Sequence, residues 1–168
     1  MRETAADTPQ ASAATARSDA DEDPTRVLVI DDEAPIRLLC RVNLEAEGMK
    51  VSEASDGPSG LERARSETPD VILLDVMMPG LDGWAVAERL LEDEQTSSIP
   101  IVFLTARAEL RDRARGLDVG GLEYVTKPFN PLELAPLVRG LLDRVQRGQR
   151  DEVRTAKLAH LRELLEDA

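Results

Sequence analysis

Polar side chains stand at the ends of short runs in this sequence. Asp31 and Asp32 follow Val27-Leu28-Val29-Ile30, Asp75 follows Val71-Ile72-Leu73-Leu74, Thr105 follows Ile101-Val102-Phe103-Leu104, and Lys127-Pro128 follows Glu123 to Thr126. Three carboxylates brought to one place repel and are costly without a cation. Magnesium suits such a set, because it takes few carboxylates, keeps waters and accepts a phosphate oxygen as a further ligand. A carboxylate can also act as nucleophile and form an aspartyl phosphate. A metal and an ammonium that screen the incoming dianion make that attack feasible. On this reading Asp31 and Asp32 bind the metal, Asp75 attacks phosphorus, Lys127 neutralises charge and Thr105 hydrogen-bonds to the phosphoryl group.

These residues converge only if the runs before them are neighbouring strands. The three apolar runs lack polar alternation, which marks strands buried on both faces of a parallel sheet. Between them lie helical spacings such as Ile36, Leu39, Cys40, Leu44 and then Leu110, Ala114, Leu117. Lys50 to Ala54 alternates and suits an edge strand, and Glu123 to Thr126 completes five. A fifth helix, from about Pro131 to Val145, carries Leu134, Val138, Leu141, Leu142 and Val145 along one stripe. Five β-α units predict an open, doubly wound α/β sheet, whose ligands sit at the carboxyl ends of the strands where the winding reverses.

The 168 residues accommodate one ordinary domain with tails. Residues 1–25 are rich in Ala, Ser, Thr and Asp and end in an acidic cluster at Asp21, Glu22 and Asp23, so a disordered arm is expected there. Residues 26–147 form the domain. In 148–168 a helical tail places Val153, Ala156, His160, Leu161 and Leu164 on one face. A lone helix of that length is marginal in water, so it is expected to dock or to pair with a second copy in a homodimer. The net charge of −12 and scarce aromatics argue against a nucleic-acid surface. Cys40 is the only cysteine, which suits a reducing cytoplasm. No apolar run approaches a bilayer span and no secretion signal is evident, so a cytoplasmic protein without membrane contact is expected.

The blocks VLVIDDE, LLDVMMPGLDGW, IVFLTA and EYVTKPF, in this order and spacing, resemble the receiver domain of two-component response regulators. The resemblance covers roughly Arg26 to Val145. It implies a flavodoxin-like (βα)5 fold with strand order 2-1-3-4-5, here with an extra C-terminal helix. It implies phosphotransfer from a sensor histidine kinase or phosphotransfer protein to Asp75. Mg²⁺ would be bound by Asp32, Asp75 and the backbone carbonyl of Met77, with Asp31 assisting. It further implies a switch in which Thr105 moves toward the phosphoryl group and Tyr124 turns inward. That swing would alter the surface of the fourth helix, fifth strand and fifth helix, through which an unidentified downstream protein is met. Lys127-Pro128 matches the family's cis peptide, while Met77 and Arg107 occupy its two variable positions tuning phosphoryl lifetime. Gly121-Leu122-Glu123 stands where Ala-Asp-Asp is more usual, which bears on the loop before the fifth strand.

Each residue also has a plainer reading when taken singly. Asp32 before Glu33-Ala34-Pro35 would make a helix N-cap, and Asp82 would cap the helix beginning near Gly83. Asp75 could be a solvated strand end, Thr105 a cap, Lys127 a surface lysine and Tyr124 a cover for the core. Trp84 and the Met77-Met78 pair read as packing, His160 as a solvated helix residue, and Arg111, Arg113 and Arg115 as a solvated face. The combined reading is a single-domain response regulator that acts by protein contact, not an enzyme beyond its own phosphorylation and dephosphorylation. The rival is a receiver-like scaffold that dimerises independently of phosphate. An aspartyl-phosphate hydrolase is disfavoured because such enzymes usually carry Asp where Met77 stands.

Overall fold

The computed structural model describes residues 23–106 and 121–166. The elements run β1 (Arg26–Ile30), α1 (Ala34–Ala46), β2 (Lys50–Ala54), α2 (Gly57–Glu67), β3 (Val71–Asp75), α3 (Gly83–Glu92), β4 (Ile101–Ala106), β5 (Gly121–Lys127), a 3₁₀ turn (Pro131–Glu133), α4 (Leu134–Gln146) and α5 (Arg150–Glu166). Residues 1–22 of the arm expected over 1–25, the helix around Leu110, Ala114 and Leu117, and Arg107, Arg111, Arg113 and Arg115 lie outside the described residues. No described helix is long and apolar enough to cross a membrane.

The strands form one parallel sheet in the order β2-β1-β3-β4-β5. Apolar side chains alternate between its two faces, which is why the strand runs lack polar positions. Leu28, Ile30, Ile72, Leu74 and Phe103 pack on one side with Leu61 of α2 and Trp84, Val86 and Leu90 of α3. Val27, Val29, Val71, Leu73, Val102 and Leu104 pack on the other with Cys40 and Leu44 of α1 and Leu134, Val138 and Leu141 of α4. All five residues of β3 are buried, so the central strand is the most deeply anchored part of the site's frame. Each fully buried Leu or Ile contributes about 1.5–3 kcal/mol. Trp84 and Phe103 lie 4.9 Å apart between ring centroids, a packing role as read from the sequence.

Several sequence expectations change in detail. Leu39 is partly exposed, because the buried stripe of α1 runs through Cys40 and Leu44. Met78 is buried, but Met77 is 65% exposed and packs in no core, since the loop after β3 turns it outward. β5 begins two residues before Glu123, and the register slips beside Ile101 and Val102, which accommodates Gly121-Leu122 in the strand. The fifth helical segment opens with a 3₁₀ turn before α4 begins at Leu134. Gly148, at φ +78°, ends α4 and starts the tail. In the tail Val153, one of the residues expected on the docked face, is buried among the α1/α4-side residues, whereas Ala156 is exposed; the side chains of His160, Leu161 and Leu164 lie outside the described residues. Arg150 donates to the Ser98 carbonyl at 3.2 Å, tying the start of α5 to the loop before β4.

Candidate functional site

β1 and β3 are neighbours at the point where the winding reverses, with Ile30 opposite Leu74, so the residues that follow meet beyond the sheet edge. Asp31, Asp32 and Asp75 each bring a carboxylate oxygen within 4.8 Å of the other two. Asp31 is fully buried, Asp32 is exposed and Asp75 is buried. The backbone of Asp31 is fixed by its N–H donating to the Ala54 carbonyl at 3.1 Å. Its Oδ1 accepts from the Glu33 N–H at 2.9 Å and its Oδ2 from the Lys127 ammonium at 2.9 Å. Asp75 Oδ1 accepts from the Met77 N–H at 3.3 Å and lies 3.3 Å from Lys127 Nζ, while its buried Oδ2 has no hydrogen-bond partner. The Lys127-Pro128 peptide is cis, as expected. Asp32 does not cap α1: Glu33 holds that position, without a side-chain cap bond.

The electrostatics follow from burial and crowding. Burial pushes the Asp75 carboxyl up to about 7; the negative charge of Asp31 and the proximity of Asp32 add to this, and Lys127 opposes it. Burial disfavours the Lys127 ammonium, but its hydrogen bond to Asp31 and the charges of Asp31 and Asp75 outweigh that and raise its pKa. A second carboxylate, Glu33, lies 3.8 Å from the same ammonium. One cation thus serves an excess of acid. A divalent ion fits here on two counts: three convergent carboxylates, and a buried carboxylate oxygen with nothing to satisfy it.

Thr105 is buried one residue beyond the β4 position opposite Asp75, and its hydroxyl lies 3.4 Å from the Ala106 carbonyl. Tyr124 stands opposite Phe103 and is partly buried against the α2/α3-side core. The chain leaving Asp75 at the end of β3 is held from behind by α3. Gly83 N–H donates to the Val76 carbonyl at 3.0 Å, and Asp82 caps the helix by accepting from the Ala85 N–H at 2.9 Å, as its position indicated. A Cβ on Gly83 would collide with the Asp75 carbonyl and come within 2.7 Å of Val76 Cα. The structure therefore gathers Asp31, Asp32, Asp75 and Lys127 directly, with Thr105 on the next strand. The side chain of His160 lies outside the described residues. Glu33, Arg37, Glu53 and Gly83 were not singled out by sequence reasoning. An arginine at the start of an otherwise amphipathic helix was the available signal for Arg37.

Fold and site define a flavodoxin-like α/β domain with an acidic, metal-competent centre at its strand ends. The family model described as response regulator receiver domain matches residues 27–139, and the chain belongs to that family, the receivers of two-component signalling. The chain is 43% identical over 122 residues to the DNA-binding dual master transcriptional regulator RpaA of Synechocystis sp., covering 73% of this chain and 51% of that protein. It is 42% identical over 120 residues to the phosphate regulon transcriptional regulatory protein PhoB of Escherichia coli, covering 71% and 52%. The chain thus spans about half the length of these curated relatives. A crystal structure of a putative response regulator from Chloroflexus aurantiacus superposes with a TM-score of 0.69 at 30% identity, covering 73% of this chain and all of that one.

Proposed function

We propose that Asp75 is the phosphoacceptor of a cytoplasmic signalling switch, charged by a sensor histidine kinase or a phosphotransfer protein. The observation that carries this reading is the buried Asp75 Oδ2, unpartnered at a site where Lys127 and two further carboxylates converge. In the transfer an Asp75 oxygen forms a bond to phosphorus as the bond from phosphorus to the donor's histidine nitrogen breaks, that nitrogen keeping the electron pair. Lys127 stays within ion-pair reach of Asp75 and balances the charge that the phosphoryl oxygens bring. Thr105 supplies a hydroxyl from the adjacent strand, and Tyr124, half out of the core, follows it inward. Asp31, Asp32, Asp75 and the Met77 backbone carbonyl would hold Mg²⁺, which supplies positive charge to the phosphoryl oxygens when bound.

The output is contact with a downstream protein through the surface expected of the fourth helical segment, which lies outside the described residues, together with β5 and α4. The relatives favour a second reading of that output, control of transcription, since RpaA is named as a DNA-binding regulator and is about twice as long.

Incubation with acetyl phosphate and Mg²⁺, followed by intact mass measurement, tests the acceptor. One added phosphoryl mass is expected for the wild type and none for Asp75→Asn. No gain, or the same gain in the variant, overturns the reading and favours a phosphate-independent scaffold.

A further inference from the structure

Arg37 makes the first i to i−4 bond of α1, its N–H donating to the Glu33 carbonyl at 3.1 Å. A cation there opposes the helix dipole, so the helix itself gains nothing from it. Helical side chains lean toward the N-terminus, and this one reaches back to the strand end. Its Nη1 donates to the Asp31 carbonyl at 2.7 Å, and its Nε lies 3.2 Å from Glu53 Oε1 on β2. Glu53 is held in turn by Arg41, one helical turn further along α1. The Arg37 side chain is only 17% exposed and Glu53 23%, so the pair is largely out of solvent.

We propose that Arg37, anchored by Glu53, is a positioning residue that fixes the Asp31 end of the metal-binding loop. Asp31 lies just past the end of β1, where β2 has also finished its pairing. Its N–H still finds the Ala54 carbonyl, but its own carbonyl has left the ladder, and Arg37 takes the partner's place. Every polar group of Asp31 is thereby engaged: N–H by Ala54, carbonyl by Arg37, Oδ1 by Glu33 and Oδ2 by Lys127. Loss of Arg37 frees one corner of that frame. Asp31 then drifts relative to Asp75, and the convergence of carboxylates that suits a divalent ion is loosened. Arg37 itself bonds to main chain and to Glu53, so it acts through Asp31 and not on the phosphoryl group.

The inference rests on the reading of Asp31, Asp32 and Asp75 as metal ligands, and its test is binding of Mg²⁺ alone by calorimetry, beside the acetyl phosphate assay. Arg37→Gln raises the Mg²⁺ Kd about tenfold, the usual scale for residues that orient metal ligands. The phosphorylation rate at saturating Mg²⁺ falls by less than the affinity does, because Arg37 bonds to the Asp31 carbonyl and to Glu53 and so acts through Asp31. Arg37→Lys, which keeps the charge but not the two-pronged reach, recovers part of the affinity. Arg65→Gln, which breaks the exposed ion pair with Asp93, leaves the Kd unchanged. In metal-free Arg37→Gln, amide exchange at Asp31 accelerates more than at Leu73, which separates a local effect from general destabilisation.

An unaltered Kd in Arg37→Gln, or acceleration no greater at Asp31 than at Leu73, overturns the inference. Should Arg37→Gln not fold, Glu53→Gln carries the same test, with a smaller rise in Kd expected and no rise overturning it. Mg²⁺ binding that follows this pattern in a protein that takes up no phosphoryl group would sink the acceptor assignment and leave the inference standing.

Discussion

Replacing Asp75 by asparagine tests the electrostatics of the site without any phosphoryl chemistry. In the metal-free protein the Asp75 carboxyl titrates near 7, against an ordinary value of 3.8, because it is buried beside Asp31. A raised folded-state pKa means that the native state holds a proton that the unfolded state has released. The associated stability is complete below about pH 4 and is lost as the pH rises through about 7. At about 1.4 kcal/mol per pK unit, the full shift corresponds to about 4 kcal/mol, part of which belongs to the coupling with Asp31. Asparagine keeps the shape and cannot ionise. In EDTA at pH 8, Asp75→Asn should therefore be more stable than the wild type by about 2–4 kcal/mol, with Tm higher by about 5–10 °C for a domain of this size. At pH 4 the difference should vanish. Lys127 does not confuse the window, since its raised pKa gives stability that persists through neutral pH and is lost only above the ordinary lysine range. Thermal unfolding by circular dichroism across pH 4–9 is the assay. A variant no more stable than the wild type at pH 8, or equally stabilised at pH 4, would refute the account of Asp75 as a carboxylate charged at a cost.

Gly83→Ala should destabilise the fold by about 1–3 kcal/mol, because its methyl group meets the backbone of Asp75 and Val76, and urea unfolding measures this. Asp82→Ala should cost about 1 kcal/mol through loss of the α3 cap, seen in the same titration. Val153→Asp should undock α5 from the α1/α4-side core while β1 to β4 stay folded, so proteolysis should remove the tail first and spare the sheet. The Cys40 thiol, buried and pushed up to about 12, should resist Ellman's reagent until global unfolding exposes it.

The sheet was legible because β1, β3 and β4 are apolar on both faces, a pattern that leaves few readings besides a covered parallel strand. The site was legible for the same reason: Asp31, Asp75 and Thr105 are polar exceptions placed where those runs stop, and LLDVMMPGLDGW linked them to a family. Loops carry no period, so the opposite orientations of Met77 and Met78 were not written in the sequence. Helical spacing put Val153 on the tail's apolar face, but that Arg150 ties the start of the tail to the Ser98 carbonyl depends on where the helix meets the preceding domain, which spacing alone does not encode. Arg37 and Glu53 escaped because each looks like a solvated charge on its own element, and only the packing of α1 on β2 joins them. The start of β5 was missed because its first residues enter through a register slip, and alternation fails at such a place.

The carboxylates of this site differ in how far their oxygens are already committed. Both oxygens of Asp31 accept hydrogen bonds, one from the backbone and one from Lys127, whereas Asp75 carries its two neighbours on Oδ1 alone. Asp32 faces solvent. The fold therefore imposes a regioselectivity on chemically identical groups before any donor arrives: one aspartate is locked in place by its neighbours, one lies open to solvent, and one keeps a desolvated oxygen that no hydrogen bond engages.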